Sequence, residues 1–261
     1  MLRGITAGFC LVLASAPALA HKGHRDLTCR AYAGTFVQIA TKGGHPFEVY
    51  RTGPPSARIG VLLLPGKGGL SAATLAWADR IGAQGYRVVA VNPSHDAKGG
   101  GARLSVHGRR ARKERAAIRF LSAPGRKVVT FGWGHVGARE SLEASAADPH
   151  DVSGTVLYDG GVSAKAAILR RLQSEVLLVA FNQTTPLAKL QAFEARMRLY
   201  GKPLITHYYN INPQAANPSG PNYDSAIAQA VWRQTRIFFQ RVSTLCRRCA
   251  YYPSGLFNYH N

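Results

Sequence analysis

The residues best placed to do chemistry sit in one short run. Val128–Thr130, followed by Phe131-Gly132-Trp133-Gly134-His135-Val136-Gly137, reads as a buried strand entering a tight turn and then a helix. Such a turn carries a Ser or Cys at its apex, aims it at an acyl carbonyl, and offers the next N–H to the oxyanion. The apex here is Gly134, which has no side chain to attack with. The layout is that of acyl-transfer machinery, and its apex argues against that chemistry.

The backbone of such a turn still has uses. Residue 135 opens the helix, and helix N-termini hold anions through free N–H groups and the dipole. The loop Pro65-Gly66-Lys67-Gly68-Gly69 follows the first core strand and should face the same pocket, where Lys67 adds a positive charge beside Gly68. His135 is a titratable group on the turn, and Tyr158-Asp159 should come from the neighbouring strand end. Lys67, Gly68, Gly134, His135, Tyr158 and Asp159 therefore predict a pocket for a small anionic or carbonyl ligand. No cofactor is implied.

These residues need a frame. Apolar runs at Val61–Leu64, Arg87–Val91, Lys127–Phe131, Thr155–Tyr158, Glu175–Phe181 and Leu204–Tyr209 read as strands. Helical spacing at Ala72–Gln84, Arg109–Ser122, His135–Ala147, Leu187–Tyr200 and Tyr223–Arg241 fills the gaps. Val37–Tyr50 could add an antiparallel edge. The alternation predicts one α/β domain, a mainly parallel sheet with helices on both faces.

Several segments resemble the dienelactone hydrolases of the α/β-hydrolase superfamily, from about Lys42 to Val242. Ala78–Asn92 is similar to the family's helix and strand after its oxyanion loop, and Gly132–Pro149 to its elbow and following helix. Thr155–Gly161 falls where the family has a strand ending in a Tyr-rich turn. Ala215–Phe239 is similar to the segment just after the catalytic His in exported members. The resemblance implies a triad of Cys or Ser, Asp and His. Laid on this chain, the nucleophile position is Gly134, the Asp position Thr185 within Asn182-Gln183-Thr184-Thr185, and the His position Pro213 within Asn210-Ile211-Asn212-Pro213-Gln214. None of the three carries the triad residue. The resemblance thus implies an α/β-hydrolase domain whose catalysis is lost, with an ester or lactone hydrolase using other residues as the alternative. A His135–Asp159 pair acting as a base on water is the catalytic variant. Ser94-His95-Asp96 holds all three triad types, but adjacent side chains cannot line up as a relay. Ser141, two turns into the helix, reads as packing or surface.

The remainder concerns compartment and surface. Residues 1–20 read as a cleaved leader, with Arg3, a short apolar core and Ala18-Leu19-Ala20, which predicts a secreted or periplasmic protein. An N-terminal extension (21–41), the domain (42–242) and a tail (243–261) follow, with no second apolar run of membrane-spanning length. Three cysteines lie beyond the leader, Cys29, Cys246 and Cys249. An oxidising compartment favours pairing two of them, either Cys29 with the tail or the Cys246-Arg-Arg-Cys249 pair itself. A redox CxxC opens a helix after a strand, and this one follows a helix. His21 and His24 form a thin nitrogen set for Cu(II).

Lys and Arg number 33 against 13 Asp and Glu, a formal charge of +20. Such a field attracts polyanions, including an anionic cell-envelope surface. The run Arg109, Arg110, Arg112, Lys113 and Arg115 reads as a solvated helix face that could dock phosphates. No aromatic residue interleaves it, which counts against single-stranded nucleic acid.

Overall fold

A computed structural model describes residues 32–42, 46–92, 106–160, 162–163, 165–217 and 222–244. The leader, His21, His24, the four cysteines and Ser94-His95-Asp96 lie outside these residues. The strands are β1 (Thr35–Ile39), β2 (Phe47–Thr52), β3 (Ile59–Leu64), β4 (Arg87–Val91), β5 (Lys127–Trp133), β6 (Val152–Tyr158), β7 (Glu175–Phe181) and β8 (Leu204–Tyr209). They form one sheet in the order β1-β2-β4-β3-β5-β6-β7-β8. β1 pairs antiparallel with β2, and β2 with β4. The other five pairings are parallel. β3 and β7 are buried along their whole length, which is why they read as unbroken apolar runs rather than alternating ones.

Among the described residues six helices connect and cover the strands: α1 (Ala72–Gly82), α2 (Val106–Leu121), α3 (Gly134–Ala147), α4 (Ala166–Arg171), α5 (Leu187–Leu199) and α6 (Ser225–Thr244). α4 escapes a sequence reading because it is a short helix that buries only Leu169. α6 buries Ala228, Val231, Trp232, Thr235, Phe238, Phe239 and Val242, a stripe at helical spacing. α1 and α6 lie over one face of the sheet, where Trp77 packs within 6.2 Å of the Phe131 ring and 6.1 Å of the Trp232 ring. α2 through α5 cover the other face, with Ile118, Leu142, Leu169 and Phe193 in its core.

α3 is pinned to the sheet by buried hydroxyls. Ser141 Oγ donates to the Val156 carbonyl (3.1 Å) and lies 2.8 Å from Thr130 Oγ1, from which it can accept. Ser145 Oγ lies 2.7 Å from Thr130 Oγ1 and accepts from Thr155 Oγ1 at 2.7 Å. Every partner is buried and satisfied, so the network fixes where the helix starts relative to β5. Ser141 is therefore a packing residue with a positional task.

The basic run on α2 is not a uniformly solvated face. α2 packs on α3, and this buries Arg110, which pairs with Glu140 (3.5 Å) and Glu143. Arg115, although exposed, is held by Asp148 at 2.7 Å. Lys113 Nζ lies 5.5 Å from the centre of the Phe47 ring, Arg109 is half-buried, and Arg112 is exposed. The expectation of a solvated phosphate-docking face is corrected at Arg110, because helix packing turned that residue inward.

Glu114 is part of this cluster and nearly fully buried. Its Oε1 is 3.3 Å from Arg110 Nε, yet the two are not aligned as a hydrogen bond. Burial pushes its carboxyl up to about 8, outweighing the pull of Arg110. A carboxyl raised above its unfolded value makes the folded protein the better proton binder. Its contribution is fully present below the unfolded pKa and is lost as pH rises through about 8. Glu114→Gln should thus gain stability relative to wild type as pH climbs, by on the order of 2 kcal/mol on the alkaline side. Thermal melts across this window check it, and parallel curves for the two proteins would refute it.

Candidate functional site

β5 hands over to α3 through Gly134, whose φ of +66° is the left-handed apex of an elbow. The glycines on either side permit the close crossing. A Cβ on Gly132 would sit 2.1 Å from the Gly137 carbonyl oxygen, and one on Gly137 would sit 2.3 Å from the Leu64 carbonyl oxygen. A Cβ on Gly134 would meet nothing within 4 Å. The apex thus opens on free space, in the place where a nucleophile would stand. No side chain caps the start of α3, so its first N–H groups are available to an acceptor.

Sequence-predicted residues gather here in part. The loop after β3 does pass the elbow, since a Cβ on Gly66 would lie 3.3 Å from the Trp133 carbonyl oxygen. Lys67 and Gly68 on that loop are exposed, as is His135. Trp133 pairs in register with Tyr158, so Gly134 and Asp159 leave adjacent strand ends, about 5 Å apart by strand spacing.

Tyr158 itself does not line a pocket. It is fully buried, its ring stacked at 4.3 Å on Trp133 and 5.9 Å from Trp77, and its hydroxyl has no hydrogen-bond partner. Side chains alternate along a strand, and β6 turns this one onto the face beneath α1 and α6. Tyr158 forms a floor with Trp133 and Trp77 and contributes no polar group to the opening.

Asp159 is the titratable group that the fold places most deliberately. It is the one described non-glycine residue with positive φ, at +67°. Its N–H donates to the Val179 carbonyl at 3.0 Å, and its Oδ1 accepts from Thr184 Oγ1 at 2.5 Å. Burial raises its carboxyl to about 6, with the Thr184 bond pulling the other way. No hydrogen bond among the described residues joins it to His135, so the His135–Asp159 base pair is not assembled. Thr184 had no signal in the sequence, because its contact crosses 25 positions between two strand-end loops.

The other triad-equivalent positions are structural. Thr185 is buried, and a Cβ on Gly160 would lie 2.2 Å from its Oγ1. Pro213 is buried at the start of a short 3-10 turn, Pro213–Ala216, capped by Asn212 Oδ1 accepting from the Gln214 N–H at 2.9 Å. His207, half-buried and shifted down by burial, stands in the middle of edge strand β8 opposite Val179.

Sheet order, crossover helices and elbow together define an α/β-hydrolase fold. Solved structures agree. A structure assigned as a dienelactone hydrolase from Klebsiella pneumoniae is 14% identical with a TM-score of 0.63, over 81% of this chain and 100% of that one. A dienelactone hydrolase-like promiscuous phosphotriesterase from metagenomic libraries is 22% identical with a TM-score of 0.63, over 80% and 99%. An esterase from Pyrococcus furiosus is 12% identical with a TM-score of 0.60, over 80% and 93%. No family model matches the chain, and no curated protein matches it in sequence.

Proposed function

We propose that this chain is an exported α/β-hydrolase-fold protein that has given up acyl transfer and binds a small anionic or carbonyl ligand at the elbow. The carrying observation is Gly134: an apex at φ +66° with open space around its missing Cβ and no side chain to attack with. The structural neighbours named above are hydrolases, which supports a hydrolytic ancestry for the frame. Acyl transfer needs a nucleophile and a base to activate water. Thr185 and Pro213 supply neither.

What remains suits recognition. The uncapped start of α3 offers N–H donors, Lys67 offers a charge, and Asp159 tunes the charge of the opening. At neutral pH an ionised Asp159 repels an anion. Below about 6 it is protonated and can donate. Affinity for a carboxylate probe such as benzoate should therefore rise several-fold, roughly threefold to tenfold, from pH 7 towards pH 5. Asp159→Asn should flatten that dependence. Calorimetric titration with acetate, benzoate and phenylacetate tests the reading. Binding that weakens in Lys67→Ala supports it, and absence of heat with all three probes overturns it.

A second reading, an ester or lactone hydrolase using other residues, has Asp159 as the one perturbed acid near the elbow among the described residues. Export rests on the leader. Amino-terminal sequencing of secreted material should begin at His21.

A further inference from the structure

At the opposite end of the sheet from the elbow, four arginines converge from four separate segments. Arg126 precedes β5, Arg87 opens β4, Arg51 lies in β2, and Arg58 precedes β3. Register brings them together: Gly60 pairs with Arg87, and Ile59 pairs with Lys127. A Cβ on Gly60 would lie 3.2 Å from Arg126 Cδ, so the glycine leaves room for that arginine's stem.

Arg126 is held rigidly. Its Nε donates to the Ala57 carbonyl (2.9 Å), one terminal nitrogen to the Leu121 carbonyl (2.9 Å), and the other to the Pro55 carbonyl. Three of its five N–H groups are used, which leaves two on a fixed fork. Arg87 donates to the Gly53 carbonyl. These acceptors are neutral. No ion pair among the described residues involves Arg51, Arg58, Arg87 or Arg126. Among the described carboxylates at this end, Asp148 is engaged by Arg115 and Glu175 by Arg241. Asp79 takes the Tyr50 hydroxyl. Arg87 is driven down by burial and by the charges of Arg51 and Arg126. Arg58 and Arg126 line a groove of about 540 Å³ with Pro55, Ser56, Gly125 and Ser243.

We propose that this groove is a binding site for a phosphate dianion, carried on a small molecule or on a lipid headgroup. A rigid guanidinium fork matches phosphate geometry, and clustered like charge with no carboxylate paired to it among the described residues calls for a multiply charged partner. The site is separate from the elbow and does not rest on the reading given for it.

Calorimetry of the full chain with inorganic phosphate and with glycerol phosphate reads the soluble source. Co-sedimentation with phosphatidylcholine vesicles, with and without phosphatidic acid, reads the lipid source. Phosphate should bind one to one, weaken about tenfold or more in Arg58→Ala, and lose affinity as salt rises. Arg51→Gln should weaken it as well, and Arg196→Ala, exposed on α5, should leave it unchanged. Capture by phosphatidic acid vesicles that Arg58→Ala abolishes assigns the lipid source. Titration by soluble phosphates without such capture assigns the soluble one. Equal affinity in Arg58→Ala and wild type, or neither phosphate nor vesicle binding, overturns the proposal.

Discussion

Gly132→Ala should remove on the order of 4 kcal/mol of folding stability, a large part of what a domain of this size has. The added methyl would lie 2.1 Å from the Gly137 carbonyl oxygen and 2.6 Å from Ala138 Cα. Both are backbone atoms of the helix that crosses here, so no side chain can rotate aside. Relief requires lifting α3 off β5, which breaks the Thr130–Ser141–Ser145 network and exposes Ala138 and Leu142. Gly137→Ala should behave similarly, because its methyl would strike the Leu64 carbonyl oxygen at 2.3 Å. Gly134→Ala is the internal control. Its methyl meets nothing within 4 Å, so it should cost only the strain of a left-handed residue, about 1–2 kcal/mol. Urea unfolding followed by circular dichroism separates the three. A Gly132→Ala protein as stable as Gly134→Ala would mean that the crossing is looser than described.

Gly134→Cys should give a protein that acylates once. The thiol would stand at the start of α3, where the helix dipole lowers its pKa and favours thiolate. An aryl ester should then release a stoichiometric burst of phenol as the thioester forms on Cys. Turnover should stop there, since neither Thr185 nor Pro213 can activate water against the thioester. A trapped adduct seen by intact mass, with no steady-state rate above the heat-killed sample, is the expected outcome. Sustained turnover in Gly134→Cys would show that a base reaches the elbow from elsewhere.

The fold was legible because its signals are local. Buried parallel strands carry continuous apolar runs, so Arg87–Val91 and Glu175–Phe181 could be bounded from the chain alone. The elbow was legible through Gly132, Gly134 and Gly137, each fixed by a close approach or a left-handed turn. The site was less so, because strand ends alternate. Tyr158 and Asp159 are neighbours in sequence, yet one lies in the aromatic floor and the other meets Thr184 from the next loop. Charge was the most misleading signal. The dense run on α2 is partly consumed by packing against α3, whereas the arginines at the far end of the sheet come from scattered positions that only strand register brings together.

The most direct test of the central claim is hydrolysis by the purified wild-type protein against a panel of aryl esters and enol lactones, beside a heat-killed sample. Gly134 as the apex predicts no turnover above the heat-killed rate. Turnover in the wild type that disappears in His135→Ala would contradict the account and place working chemistry at the elbow.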